Sequence, residues 1–136
     1  MAVAAVILKE GSVLLVKRAN EPSKGEWSLP GGVVELGETA KQALRREIKE
    51  ELSIEVRPKG IVDVVEKIVR DDRGRIRYHY VILEFMAEAG LMEPKPGSDV
   101  LDYKWMKVIH SDALAGIDQD MKKVISKALS ASKQPL

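Results

Sequence analysis

Three carboxylates are crowded into one short segment, RREIKEEL at residues 45–52, which contains Glu47, Glu50 and Glu51. If the segment is helical, Glu47 stands one turn away from both of the other acids, and the three side chains share one region of the surface. Like charges at these spacings oppose helix formation by about a few tenths of a kcal/mol per pair. The segment is therefore either a solvated charged face or a site for a positively charged ligand.

A helical wheel with about 100° per residue places these acids beside the apolar stripe of the helix. The stripe consists of Leu44, Ile48 and Leu52. Glu47 and Glu51 lie together at its margin, and Glu50 lies on the next flank. Clustered carboxylates at the edge of a core suit a hard divalent cation, Mg²⁺ or Mn²⁺, whose charge would relieve the repulsion. Charge runs of this kind are also typical of solvated helix faces, so both interpretations remain open from this segment alone.

The residues just upstream can supply a loop for such a site. The segment WSLPGG at residues 27–32 ends in a cluster of turn-forming residues. Its two glycines, Gly31 and Gly32, let the backbone approach a ligand closely, and their carbonyl oxygens are suitable ligands for a hard cation. An ordinary tight turn is the alternative for the glycines taken alone.

Strands are indicated by β-branched apolar runs bounded by turn residues. We predict strands at residues 2–8, 13–17, 61–69, 76–87 and 101–108. The first two flank the turn KEGS and form a hairpin. The third and fourth flank DDRGR and form an antiparallel pair with a turn at Gly74. Loops rich in Pro and Gly are predicted at residues 19–25 and 88–100.

Two helices complete the pattern. Helical spacing predicts one at about residues 39–52, with Thr39 as its N-cap and Gln42 closing a capping box. A second, amphipathic helix is predicted at about residues 118–132. Strands around two helices indicate a single α/β or α+β domain, and the element order does not decide between them.

The residues from Gly32 to Ile54 resemble, in order and spacing, the signature of the Nudix hydrolases. That signature is G-x5-E-x7-R-E-U-x-E-E-x-G-U, where U is a bulky aliphatic residue, and this chain has GVVELGETAKQALRREIKEELSI. The matching residues are Gly32, Glu38, Arg46, Glu47, Ile48, Glu50, Glu51 and Ile54. Ser53 replaces the second glycine, which ends the helix, so we expect it to change the helix cap and leave the acidic face intact.

The resemblance implies a Nudix-type α/β/α sandwich with a mixed β-sheet, formed by residues 1–136 as a single domain. It implies hydrolysis of a nucleoside diphosphate linked to another group, with a divalent metal required. The metal ligands it implies are Glu47 and Glu51, with Glu50 and the carbonyl of Gly32 as further ligands. Arg46 is expected to orient these glutamates through salt bridges.

The general base and the substrate-binding residues are less constrained by the resemblance. It implies that the base is one of the glutamates of the signature or an acid of a downstream loop, for which Asp99 is the preferred candidate and Glu93 the second. For the substrate, we predict that Arg18 and Lys24 meet phosphates and that Trp27 stacks on a base. Other aromatic candidates for stacking are Tyr78, Tyr80 and Phe85, although aromatic residues in strands more often belong to the core.

The substrate class is predicted from segments outside the signature. RYHYVILEFMA and SDVLDYKWMKV resemble compact ADP-ribose pyrophosphatases, which slightly favours ADP-ribose or a similar compound as substrate. A nucleoside-triphosphate pyrophosphohydrolase is the alternative within the same family. A Nudix module that binds nucleotides without hydrolysing them is the alternative of another class, which the presence of all three glutamates disfavours.

Composition narrows the partners and the compartment. Among 136 residues, 22 Lys plus Arg balance 21 Asp plus Glu, so no overall charge recruits nucleic acid or an anionic membrane. The absence of Cys excludes disulfides, thiolate metal sites and a cysteine nucleophile, and it fits a reducing cytoplasm. The first residues read as a strand and no apolar run reaches membrane-spanning length. We expect a cytoplasmic monomer or homodimer that binds a small nucleotide.

Overall fold

The computed structural model describes residues 1–21, 23–108 and 119–132. Within these residues the strands are β1 (Ala2–Lys9), β2 (Ser12–Arg18), β3 (Trp27–Ser28), β4 (Gly31–Val33), β5 (Val56–Arg70), β6 (Ile76–Ala89) and β7 (Val100–Lys107). The helices are α1 (Ala40–Leu52) and α2 (Gln119–Ser132). None of the helices in the described ranges combines the length and apolarity that crossing a membrane requires.

The strands form one mixed sheet with β1 in a central position. β1 pairs in parallel with β6, and antiparallel with both β2 and β4. β5 pairs antiparallel with β6 at one end of the strand order, and β2 also pairs with β3 and β7. The short strand β4 thus lies directly against β1, which brings the glycine pair to the middle of the fold.

Alternate residues of the central strands face two separate hydrophobic layers. On β1, Val3 and Ile7 pack with the apolar stripe of α1, whereas Val6 packs with α2 on the opposite face. This period of two is the geometry of a strand that is buried on both faces. The fold is therefore an α/β/α sandwich, as predicted, and each helix is held by apolar burial worth about 1.5–3 kcal/mol per large side chain.

Several predicted elements are confirmed. The hairpin between β1 and β2 forms with Leu8 opposite Val13, and the pair β5–β6 turns at Gly74, whose φ is 78°. Helix α1 begins after Thr39, and its capping box is complete, because the Thr39 hydroxyl accepts from the backbone N–H of Gln42 and the Gln42 side chain accepts from the backbone N–H of Thr39. Helix α2 is present over 119–132, while residue 118 lies outside the described residues.

Two predictions were wrong in detail. The segment WSLPGG contains strands β3 and β4 rather than only a turn, because long-range pairing with β2 and β1 overrides its Pro and Gly. Strand β5 begins at Val56 instead of residue 61 and includes Pro58. Pro58 is tolerated because β5 stands at the end of the strand order, where the missing N–H removes no interior hydrogen bond.

Ser53 is the C-cap of α1 and adopts the left-handed conformation, with φ 57° and ψ 29°. A residue with a Cβ is strained there, so we expect Ser53→Gly to increase the free energy of unfolding by about 0.5–1 kcal/mol. Denaturant unfolding measures the change, and Ser53→Ala, which keeps the strain, is the matched control. A free energy that is unchanged or lower in Ser53→Gly would contradict this account of the cap.

Candidate active site

Glu51 is a buried acid at the junction of α1 and β4. Glu51 is 8% exposed, and its Oε1 accepts a hydrogen bond from the backbone N–H of Gly31 at 2.8 Å. Burial raises the pKa of Glu51 to about 8, an effect that the Gly31 hydrogen bond opposes and the nearby Glu47 carboxylate reinforces. Burial likewise raises the pKa of Glu47, against the opposing effect of Arg46. Burial therefore makes both carboxylates costly to ionise, Glu47 even with Arg46 beside it.

The glycines of β4 make room for this arrangement. A Cβ at Gly32 would lie 2.3 Å from Cδ of Glu47, so any side chain there would displace the carboxylate. A Cβ at Gly31 would lie 2.0 Å from the carbonyl oxygen of Val3 on β1. Close contact with the backbone of β1 thus requires glycine at position 31, whereas glycine at position 32 leaves the Glu47 carboxylate in its place.

Arg46 ties the acids of the signature together. Its Nε and Nη2 donate to the two carboxylate oxygens of Glu38 at 2.7 and 2.9 Å, and Nη2 also donates to the carbonyl of Val33 at 3.0 Å. Its Nη1 donates to Glu47 at 2.8 Å and to Glu50 at 3.3 Å. The Arg46 hydrogen bond is also the main cause that lowers the pKa of Glu38 to about 2. These contacts connect α1, β4 and the loop between them.

A cavity of about 140 Å³ brings five of the predicted site residues together. Its predicted members are Arg18, Gly32, Glu47, Glu51 and Asp99. The remaining lining residues are Val16, Ala19, Asn20, Gly31 and Val100. Larger surface grooves of about 910 and 750 Å³ lie beside the C-terminal end of α1 and beside α2, but these carboxylates do not line them. The small cavity is therefore the candidate active site.

Other predicted residues lie outside the cavity lining. The Glu50 side chain is 53% exposed and is bound by Arg46, and Lys24 is exposed in the loop after β2. Trp27 packs on the α2 side of the sheet, with Nζ of Lys104 4.3 Å from its ring centroid. Glu93 accepts a hydrogen bond from the Tyr103 hydroxyl at 3.4 Å. Their predicted roles stay predictions, and the geometry favours Asp99 over Glu93 as the loop acid.

The aromatic candidates on β6 lie away from the cavity as well. Tyr78 and Tyr80 stack on each other with ring centroids 6.0 Å apart, and Phe85 is buried in the layer beneath α1. Two contributors to the site were not foreseen in the sequence, the backbone N–H of Gly31 and the residue Asn20, which lines the cavity. Neither carries a local signal, because each reaches the cavity through the pairing of β4 or through the loop after β2.

The residues of the cavity fit a hard divalent cation by their chemistry, since the acids Glu47, Glu51 and Asp99 line it. Among the described residues, no three acidic or histidine side chains already stand in a ligand arrangement. Arg46 donates directly to Glu47 and to Glu50. A cation bound by the Glu47 and Glu51 carboxylates would share Glu47 with Arg46 and would offset the burial of Glu51.

The buried acids predict a pH-dependent stability in metal-free protein. The pKa of Glu51 is about 8 in the folded state against an ordinary 4.5, so only the folded state keeps its proton between these values. The free energy of unfolding therefore falls as the pH rises through this window. Glu38, with its pKa lowered to about 2, changes stability only below the ordinary pKa of 4.5, outside the window.

Because a bound cation offsets the cost of ionised Glu51, we expect Mg²⁺ to raise the thermal midpoint more at about pH 8.5 than at about pH 5. Scanning calorimetry with and without Mg²⁺ at both pH values measures this difference. Glu51→Gln is the control and should make the metal-free pH profile less steep, with the raised pKa of Glu47 left to contribute. An equal effect of Mg²⁺ at the two pH values would contradict the assignment of Glu51 to the cation site.

Comparison with known proteins identifies a family for this chain. Residues 1–128 match the family model described as NUDIX domain. The chain is 36% identical over 115 residues to a protein named ADP-ribose pyrophosphatase from Methanocaldococcus jannaschii, an alignment that covers 85% of this chain and 66% of that protein. The chain thus spans slightly less than two thirds of the length of this relative.

Two further proteins are similar over most of their length. A protein named nucleoside triphosphatase NudI from Escherichia coli is 32% identical over 117 residues, which covers 79% of this chain and 83% of that protein. The crystal structure of a MutT NUDIX hydrolase from Burkholderia pseudomallei superposes with a TM-score of 0.76 at 28% identity, covering 93% of this chain and 95% of that one. The similarity in sequence and the similarity in fold therefore indicate the same family.

Proposed function

Since this chain belongs to the NUDIX domain family, as the match over residues 1–128 shows, we propose that it hydrolyses the diphosphate of a nucleoside diphosphate linked to another group. The match confirms the resemblance found in the sequence. The observation that carries the proposal is the single cavity that gathers Glu47 and Glu51 of α1, Gly32 of β4 and the loop acid Asp99. This set of oxygen donors suits a cation together with a phosphate chain.

The proposed metal ligands are Glu47 and Glu51, with Glu50 and the carbonyl of Gly32 completing the set. Nudix hydrolases generally use a divalent metal, and Mg²⁺ or Mn²⁺ suits these oxygen donors. When bound, such a cation neutralises the diphosphate and lowers the pKa of the attacking water. Glu50 lies outside the cavity lining, with a half-exposed side chain that is bound by Arg46.

The chain's own groups orient the reaction. Water adds across the P–O–P anhydride, so that one phosphorus gains the hydroxyl oxygen and the other phosphate leaves with the bridging oxygen. Asp99 is proposed to take the proton from this water, and Arg18, which also lines the cavity, to bind a phosphate oxygen. The Gly31 N–H holds Glu51, and Arg46 holds Glu47, so both carboxylates are positioned before substrate arrives.

ADP-ribose or a similar compound is the favoured substrate. Support comes from the 36% identity to the protein named ADP-ribose pyrophosphatase, which exceeds the 32% identity to the protein named nucleoside triphosphatase. The second relative favours a nucleoside triphosphate as the alternative substrate. The cavity itself does not choose between them, because both substrates present a phosphate chain to the same carboxylates.

A panel of substrates with Mg²⁺ or Mn²⁺ tests the proposal. ADP-ribose hydrolysis is coupled to alkaline phosphatase, which releases phosphate from AMP and ribose 5-phosphate but leaves intact ADP-ribose alone. Nucleoside triphosphates are coupled to inorganic pyrophosphatase, which detects pyrophosphate. We expect faster turnover of ADP-ribose, identified by AMP as a product, and no turnover after chelation of the metal.

Two other outcomes are informative. Faster release of pyrophosphate from triphosphates would favour the alternative substrate class. Binding of nucleotides without turnover of any of them would favour a non-catalytic Nudix module and overturn the proposal.

For the assembly, we propose a monomer or homodimer in the cytoplasm. Light scattering of the purified chain tests the assembly, and fractionation of cells tests the compartment.

A further inference from the structure

The loop that carries Asp99 is docked on the last turn of α1. We call residues 93–99 the docked loop. The backbone N–H of Lys95 donates to the carbonyl of Leu52 at 2.8 Å, and that of Gly97 donates to the carbonyl of Glu51 at 2.7 Å. The last carbonyls of a helix have no donor within the helix, so these two bonds satisfy groups that α1 cannot satisfy itself.

Gly97 allows the docked loop to come this close. A Cβ at position 97 would lie 2.2 Å from the carbonyl oxygen of Glu50 and 3.3 Å from its carbonyl carbon. The neighbours are backbone atoms of a helix, which cannot move aside as a flexible side chain can. Any larger residue at this position would therefore push the docked loop away from α1.

The docked loop connects α1 to the cavity over a very short span. Asp99 follows Gly97 by two residues, lines the cavity with Glu47 and Glu51, and accepts a backbone hydrogen bond from Ala19 at 3.4 Å. Pro94 and Pro96 restrict the backbone just before Gly97, which leaves little slack to absorb a shift. A displacement at Gly97 is thus transmitted to Asp99.

We propose that Gly97 is a positioning residue: its backbone contact with the last turn of α1 sets the separation between the Asp99 carboxylate and the carboxylates of Glu47 and Glu51. The inference rests on the proposed function, because it assigns Gly97 an effect on the hydrolytic reaction that passes through Asp99. It adds a requirement outside the signature segment, at a glycine that touches the backbone of the helix and no substrate atom.

A double-mutant cycle on turnover tests this proposal. We expect Gly97→Ala to lower kcat about 10-fold, because a displacement of about 1 Å is costly in an active site, and Asp99→Asn to lower it about 100-fold. The double variant should match Asp99→Asn alone, since Gly97 acts only through Asp99. Losses that multiply in the double variant, or an unchanged kcat in Gly97→Ala, would overturn the proposal.

Gly90→Ala is the matched control. Among the described residues nothing lies within 4 Å of a Cβ at Gly90, which immediately follows β6 and precedes the docked loop. The same chemical change at this position should leave kcat and KM unchanged. A loss of kcat in Gly90→Ala as large as in Gly97→Ala would mean that any change in this loop is harmful and would overturn the specific assignment.

Hydrogen exchange provides a readout that does not depend on turnover. The Lys95 amide should exchange slowly in the wild-type chain and in Asp99→Asn, and faster in Gly97→Ala, because only that variant lifts the docked loop from α1. Fast exchange in the wild type would overturn the proposal. If the wild type hydrolyses nothing, the proposed function fails, and the exchange of the Lys95 amide in the wild type and in Gly97→Ala still decides whether Gly97 keeps the docked loop on α1.

Discussion

Replacement of Glu51 by Gln is expected to lower kcat by about 1,000-fold while the chain remains folded. Gln preserves the size of the side chain and an oxygen that accepts the 2.8 Å hydrogen bond from Gly31. It removes the charge that would hold a cation at the buried end of the cavity. Because burial already raises the pKa of Glu51 to about 8, the variant should also be more stable than the wild type in metal-free buffer near that pH.

The measurement is the initial rate of AMP formation from ADP-ribose at saturating Mg²⁺, with circular dichroism to verify folding. Glu55→Gln is the matched control, since the Glu55 side chain is 86% exposed just beyond α1 and pairs only loosely with Lys49 at 3.5 Å. We expect wild-type turnover in this control. A Glu51→Gln variant with a near-wild-type rate would eliminate Glu51 as a metal ligand.

Replacement of Arg46 by Met is expected to reduce kcat by about 100-fold, because the residues that orient metal ligands typically contribute 10- to 100-fold. Arg46 donates to Glu38, Glu47 and Glu50 and also to the carbonyl of Val33. Without the guanidinium, the carboxylates of Glu47 and Glu50 repel each other and lose their fixed orientation. The loop between β4 and α1 also loses its connection to the helix.

Arg45→Met is the control for this prediction, since the neighbouring arginine is exposed and outside the cavity. It makes the same change of charge and hydrophobicity and should leave kcat unchanged. Arg46→Lys should recover little activity. The planar guanidinium group of arginine binds several carboxylates and a carbonyl at once, which the single ammonium group of lysine cannot do. Full activity in Arg46→Lys would reduce the role of Arg46 to its charge and contradict the proposed orienting contacts.

The helix and its acidic face could be predicted from the sequence because they depend on local spacing. Thr39 and Gln42 specify the helix start within one turn, and the wheel places Glu47 and Glu51 at the margin of the buried stripe. The capping box and the burial of Glu51 in the structure agree with that reasoning. Local patterns of this kind need no knowledge of the rest of the fold.

The contacts that shape the cavity depended on long-range pairing and could not be read from the sequence. Gly31 and Gly32 looked like a turn, yet they form a strand against β1, and this pairing delivers the Gly31 N–H to Glu51. Gly97 gave no local signal beyond its place among prolines, because its importance lies in contact with the backbone of Glu50, which is distant in sequence. The pairing of β3 with β2 places Trp27 on the α2 side, which the sequence did not indicate, and its predicted stacking role stays a prediction.

The most direct measurement of the central claim is an anomalous difference map from crystals soaked with Mn²⁺ and a non-hydrolysable ADP-ribose analogue. The account predicts a peak in the 140 Å³ cavity, bound by the carboxylates of Glu47 and Glu51 and the carbonyl of Gly32, with the diphosphate beside it. The same soak of Glu51→Gln crystals should show no peak or a much weaker one. A cavity without Mn²⁺ in crystals of active wild-type protein, or Mn²⁺ bound away from these residues, would contradict the account.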